Sequence, residues 1–196
     1  MRKNFREKGF TLVELVIVMV IISLLIGAVL KGQAMIDDAK GKRLFNDMQG
    51  IGAAYFTYMD RYSSVPGDDM RDHGWAQVDE STNADADGLI EGSNINDTEE
   101  AHEAWQALRY AGLLTGDPVA TGSAHLANNP FGGTYRLGNM SFGASIGTKN
   151  YVAATNVPGI LAELFDIKHD DGAFDSGSVQ GNPAYTSATV TLQYAL

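Results

Sequence analysis

The chain has 196 residues, with 24 acids against 14 bases for a net charge of −10, and no cysteine. That balance excludes nucleic acid as a bulk electrostatic partner, because phosphate binding runs on Lys and Arg releasing counterions. The lack of cysteine excludes disulfides and thiolate metal sites, so a folded head is held by its apolar core or by a metal with oxygen ligands.

The charge is uneven along the chain. Residues 1–9 carry Arg2, Lys3, Arg6 and Lys8 against Glu7, residues 10–62 carry five bases and five acids, and residues 63–196 carry five bases and eighteen acids. A basic cluster ahead of an apolar run stays on the cytoplasmic side of a membrane. The run from Phe10 to Leu30 spans roughly 30 Å as a helix, one bilayer crossing. It exceeds the apolar stretch of about 7 to 15 residues in a cleavable secretory signal, and Gly32-Gln33-Ala34 is a weak match to a signal cleavage site. Inside the run stands one ionisable side chain, Glu14. A lone carboxylate in lipid costs about 2.5 to 3.5 kcal/mol on insertion scales, so it needs a partner or a purpose.

Beyond Leu30 the residues Leu44, Met48, Ile51, Tyr55, Met59 and Tyr62 recur at spacings of three or four, the period of an amphipathic helix. One long helix is predicted from near Phe10 to Ser63-Ser64-Val65-Pro66-Gly67, where Pro66 disfavours helix at Val65 and Gly67 breaks it. Gly27, Gly32, Gly41, Gly50 and Gly52 fall within it, each costing about 0.5 to 1 kcal/mol relative to alanine. Local melting near Gly27 to Gly32 and close helix packing both account for them.

Residues 63–196 suffice for one compact domain of mixed α and β structure. Asp97 is placed to cap a short helix with Glu100 three residues on, Ala101, Trp105 and Leu108 make its buried face, and Gly112 ends it. Strands are predicted around Tyr135 and from Tyr151 to Ala154, then a helical turn through Leu161, Leu164 and Phe165 after Val157-Pro158-Gly159. From Ala188 to Tyr194 apolar and polar residues alternate, as in a half-buried C-terminal strand.

Two acidic segments suit a hard cation. Asn83, Asp85, Asp87, Leu89 and Glu91 follow the first nine places of an EF-hand-type calcium loop, with Gly88 at the tight turn. The twelfth place holds Asn94 in place of the usual Glu, so a bidentate ligand would come from Glu99 or Glu100. An Asx-rich turn without metal explains the same residues. The second segment holds Asp166, Asp170, Asp171 and Asp175.

Catalytic signals are poor. Gly143-Ala144-Ser145-Ile146-Gly147 has the G-x-S-x-G spacing of a hydrolase elbow, but turn and strand residues follow where a helix is needed. Glu99 and His102 form one E-x-x-H without a second copy. His73, His125 and His169 are isolated and expected to be exposed, whereas Trp75, Trp105 and the tyrosines read as core and subunit-contact residues.

The junction Lys8-Gly9-Phe10-Thr11-Leu12-Val13-Glu14-Leu15, with the basic residues before it and the long helix after it, resembles the type IV pilin and type II secretion pseudopilin family. The resemblance covers residues 1–62. It implies a pilin-like α+β fold: a leader at 1–9, a transmembrane helix half at 10–30, an amphipathic half at 31–62 and a head at 63–196. It also implies cleavage by a prepilin peptidase between Gly9 and Phe10, methylation of the new Phe10 amine, and pairing of Glu14 with that amine on an adjacent subunit. Other implied partners are further pilins, an assembly ATPase and an inner-membrane platform. The expected location is the bacterial inner membrane with the N-terminus cytoplasmic, then a periplasmic or extracellular filament. Major pseudopilins hold calcium in a C-terminal loop, which favours the second acidic segment.

The chain departs from the family in two respects. Lys31 stands where many pilus-forming members have proline, and the disulfide that closes many pilin heads is missing, which leans toward pseudopilins or calcium-stapled loops. A non-enzymatic filament subunit is the reading that results. Its alternatives are a low-copy minor pilin or adhesin with a ligand- or surface-binding head, and an enzyme or binding protein anchored by an uncleaved signal.

Overall fold

The computed structural model describes residues 10–75, 84–92, 94, 99–141 and 146–196. Its elements, in chain order, are helix α1 (Leu12–Tyr62), helix α2 (Glu100–Tyr110), a 3₁₀ turn (Gly122–His125), strands β1 (Tyr135–Ser141) and β2 (Thr148–Pro158), helix α3 (Gly159–His169), and strands β3 (Val179–Asn182) and β4 (Thr189–Ala195). This is a pilin-like α+β arrangement, with a long N-terminal helix followed by a head built on an antiparallel sheet. The chain forms two compact units, one ending at Lys40 and one from Gly41 to Leu196.

In the first unit the helix runs without a break through Gly27 and Gly32, and a Cβ added at either would meet nothing within 4 Å. Among the described residues no contact calls for either glycine. From Phe10 to Ile36 the large apolar side chains are 49 to 82% exposed.

In the second unit the rest of α1 forms the spine of the head. Leu44, Met48, Ile51, Ala54, Tyr55 and Tyr58 are buried, while Met59 and Tyr62 are partly so. Full burial of such side chains contributes about 1.5 to 3 kcal/mol each. The helix ends at Tyr62 because Ser63 turns into the left-handed region at φ 53° and Pro66 follows. Gly67 is needed at its place: its φ is 91°, and a Cβ there would lie 2.3 Å from the Glu100 carbonyl. That close approach seats α2 against the turn.

All sheet pairs are antiparallel, in the order β1-β2-β4-β3. Tyr135 faces Ala154 and Leu137 faces Val152 across the first pair, and Ala154 faces Leu192 across the second. Leu137, Val152, Ala154 and Leu192 are buried, on the sheet face that joins the core. Beyond Ala154 the β2 register shifts, where Asn156 adopts φ 59°. In β4, Val190 and Leu192 are buried as the alternation predicts, but Ala188 lies before the strand and is exposed.

Asn150 ties four segments together. Its Oδ1 accepts the Ile90 amide at 2.8 Å, its Nδ2 donates to the Tyr55 hydroxyl at 2.8 Å and to the Gly88 carbonyl at 2.9 Å, and its own carbonyl accepts the Leu196 amide at 2.8 Å. Asn94 serves the sheet edge similarly: it takes the Leu137 amide and the Trp105 indole on Oδ1 and donates to the Leu137 carbonyl.

Candidate functional site

Thr11 precedes the first helical residue, and Glu14 sits in the first turn. The Thr11 amide and hydroxyl both donate to Glu14 Oε2 at 2.8 Å, and the Glu14 amide donates back to the Thr11 hydroxyl at 3.3 Å. This is a capping box, with the threonine side chain satisfying a helix amide and the glutamate reaching back to the cap. Glu14 therefore has a partner in its own first turn, the alternative to the neighbouring-chain amine that the resemblance implies. Gly9 lies outside the described residues. Leu12–Tyr62 contains a window of mean hydropathy 3.0 with none of it buried, long and apolar enough to cross a membrane.

The first acidic segment gathers around a residue that the calcium-loop pattern did not include. Asp68 is buried, and its carboxylate accepts the amides of Asp85 at 3.1 Å, Ala86 at 2.6 Å and Gly88 at 2.7 Å. Asp85 in turn accepts the Asp87 amide at 3.1 Å, and Asp87 accepts the Leu89 amide at 2.8 Å. Carboxylate oxygens of Asp68, Asp85 and Asp87 lie within 4.8 Å of one another. Asn83 lies outside the described residues. The only sequence signal for Asp68 was its place in the Pro66-Gly67-Asp68-Asp69 turn, directly after α1.

Of the candidate twelfth ligands, Asn94 is committed to Leu137 and Trp105. Glu100 is buried, and its Oε2 accepts the Glu91 amide at 2.9 Å. Burial pushes the Glu100 carboxyl up to about 7; the Glu91 amide opposes this, and the nearby charges of Asp68, Glu91 and Asp85 add to it. Glu91, Gly92, Glu99 and Glu100 line one small cleft. A divalent cation among these carboxylates would offset their mutual repulsion, whereas the backbone bonds to Asp68 close the loop without one.

In the second segment Asp166, Asp170 and Asp171 bring oxygens within 4.8 Å of one another, and Asp175 is not in the group. Asp166 is fully buried and accepts the Tyr185 hydroxyl at 2.8 Å. Burial raises the Asp166 carboxyl pKa, bonds from Tyr185 and the Gly172 amide lower it, and the charges of Asp171 and Asp170 raise it again. Asp170 accepts the Val179 amide at 2.9 Å, and Asp171 accepts the Ser176 hydroxyl at 2.6 Å and the Ala173 amide at 2.9 Å. Those last two bonds, the hydroxyl first, lower the Asp171 pKa.

The expectation of exposed histidines is corrected. His125 is buried, its ring 4.0 Å from that of buried His102. Its burial follows from Arg109, whose guanidinium donates to the carbonyls of Thr115, Asp117 and His125 and draws the 3₁₀ turn onto α2. His169 stacks on Phe45 with centroids 4.2 Å apart, and half-buried His73 bonds to Asp69 at 2.9 Å. Trp105 is core, as expected. Asp97 and Ser145 lie outside the described residues; β2 begins at Thr148, so a strand stands where a hydrolase elbow needs a helix.

Residues 4–30 match the family model described as the prokaryotic N-terminal methylation motif, and residues 31–196 lie outside that match. No curated protein and no solved structure matches the chain.

Proposed function

From the premise that this is a prepilin-like chain, carrying the methylation motif typical of type IV pilins and type II secretion pseudopilins on a long N-terminal helix, we propose that it is a structural subunit of a pilus-like or pseudopilus filament. Proteins of that family are structural and not enzymes. The observation that carries the reading is the exposed apolar surface from Phe10 to Ile36 around a single acid, Glu14. Lipid covers that surface in the membrane, and neighbouring helices cover it in a filament.

In this reading a prepilin peptidase cuts after Gly9 and the Phe10 amine is methylated. The leader is 1–9, the membrane-spanning half 10–30, the amphipathic half 31–62 and the head 63–196. The processed subunit waits in the inner membrane and is raised by an assembly platform. Glu14 then receives the Phe10 amine of an adjacent copy: the two lie four residues apart, about 6 Å along the axis, so an axial stagger of that size brings them opposite. In lipid each charge offsets the desolvation cost of the other. Glu14→Ala and Gly9→Ala, followed by fractionation of sheared filaments and intact-mass measurement at Phe10, test the reading. Normal filaments from Glu14→Ala, or filaments with the nine leader residues still attached, overturn it.

The same proposal assigns calcium to the head, in the loop of Asp85, Asp87, Leu89 and Glu91 with Asp68 added, or in the loop of Asp166, Asp170 and Asp171. Hard carboxylate oxygens grouped on tight turns in a cysteine-free head support it. Calcium raises the head melting temperature if it binds the folded form, and an unchanged value with chelator removes the assignment.

A further inference from the structure

We infer that Lys31 of one copy of this chain pairs with Asp38 of the adjacent copy, a second ionic contact beside that of Glu14 with the Phe10 amine; the inference rests on the filament-subunit reading and its four-residue stagger. Between Phe10 and Ile36 the chain carries two ionisable side chains, Glu14 and Lys31. Lys31 is exposed on α1, with Leu30 before it and Met35 and Ile36, 67% and 56% exposed, after it. It lies within the apolar surface that neighbouring helices cover, and an ammonium taken into such a surface needs a counter-charge. Its own helix supplies none, because the places three and four residues away hold Ala28, Ala34, Gly27 and Met35.

Parallel helices packed side by side meet along a seam of alternating four- and three-residue steps that repeats every seven residues. Phe10 to Glu14 is one four-residue step. Continued from there, the seam takes Ile17, Ile21, Leu24 and Ala28, and then Lys31, Met35 and Asp38. Asp37 falls off it. The Phe10 amine, the Glu14 carboxylate, the Lys31 ammonium and the Asp38 carboxylate therefore occupy one seam, with apolar residues between them.

The stagger that sets a neighbour's Phe10 opposite Glu14 also sets its Leu24 opposite Ala28 and its Lys31 opposite Met35. The next seam position is Asp38, three residues or about 4.5 Å farther along the axis, a gap that the four-carbon stem of lysine spans. Both cations belong to the arriving copy and both carboxylates to the receiving one, so a single neighbour in a single direction makes the two contacts. Asp38 is exposed, and a carboxylate has about four acceptor sites, so an ammonium from a second copy adds to its other contacts without displacing them. Before assembly Lys31 directly follows the membrane-length run, where its ammonium reaches water and headgroups; Asp38 takes their place once neighbouring helices close over the surface.

Charge exchange in the full-length chain, produced in a cell with a pilus or pseudopilus assembly system, tests the pairing. Lys31→Asp and Asp38→Lys each set like charges against one another and are each expected to lower the yield of sheared filaments about tenfold or more. The two together in one chain are expected to bring the yield back to within about threefold of the parent. Leader removal, read by intact mass, and the amount of subunit in the inner membrane are expected to stay unchanged in all three. Should Lys31→Asp not accumulate in the membrane, Asp38→Asn carries the test: alone it strands Lys31 and lowers the yield, and Lys31→Met added to it restores assembly, because no unpaired charge is left. A normal yield from Asp38→Lys, or paired replacements that do no better than the single ones, overturns this inference alone. Failure of the unaltered chain to form filaments overturns the subunit reading and this inference with it.

Discussion

Replacing Asn150 by alanine removes a side chain that connects the first acidic loop to both α1 and the sheet. It is buried, and three of its bonds disappear together, those to the Ile90 amide, the Tyr55 hydroxyl and the Gly88 carbonyl. Each made bond is worth about 1 kcal/mol net, and a buried amide left without an acceptor costs a further 1 to 3 kcal/mol or so. Ile90 is fully buried, so water does not replace the lost acceptor. The sum is about 4 to 6 kcal/mol, which for a domain of this size lowers the melting temperature by roughly 10 to 20 °C. Thermal unfolding of the full chain in detergent by near-ultraviolet circular dichroism measures the shift, and limited proteolysis should open the chain first between residues 84 and 92. A melting temperature within about 3 °C of the parent would refute the claim that this residue joins the loop to the head.

Three other outcomes are expected. Glu100 has a carboxyl raised to about 7 in the fold and near its ordinary value in the unfolded chain, so the native state binds the extra proton between those values and stability falls as pH rises through that window. Glu100→Gln should therefore raise the melting temperature of metal-free protein near pH 8 and change little near pH 4; a pH-independent effect counts against a raised carboxyl. Gly177 has φ 75° and a Cβ there would lie 1.9 Å from Asp170 Oδ2, so Gly177→Ala should cost about 1 to 3 kcal/mol through backbone strain, and any calcium-dependent stabilisation of that loop should shrink with it. Gly27→Ala and Gly32→Ala should each slow amide exchange in the monomer's helix, by about 0.5 to 1 kcal/mol of added helix stability; faster exchange would show that these glycines meet a need inside the chain.

The parts of the molecule legible in the sequence are those set by periodicity over many residues. The row from Leu44 to Tyr62 fixed α1 to within two residues at its C-terminal end, and the alternation at Val190 and Leu192 fixed β4. Strand β3 was missed because four residues, Val179–Asn182, carry too little pattern, and its pairing with β4 is settled by tertiary contact. Asp68 was missed because a calcium loop is recognised by local spacing, whereas this carboxylate reaches amides 17 to 20 residues away. His125 was misjudged for a related reason: its burial depends on Arg109, sixteen residues earlier, gathering three carbonyls. The Thr11-x-x-Glu14 spacing was in plain view as a capping box, but the resemblance turned the reading of Glu14 toward an amine in another chain and away from its own backbone.

That closed first turn changes what a resting subunit is. Oε2 of Glu14 already holds two donors, and among the described residues nothing donates to Oε1. In the proposed filament an arriving ammonium thus joins a half-occupied carboxylate, and a departing one leaves behind an anion that its own helix end still shelters. In that reading the carboxylate keeps the two Thr11 donors of its own helix end whether or not an ammonium is beside it, so entering or leaving the proposed pairing does not leave Glu14 without a hydrogen-bond partner.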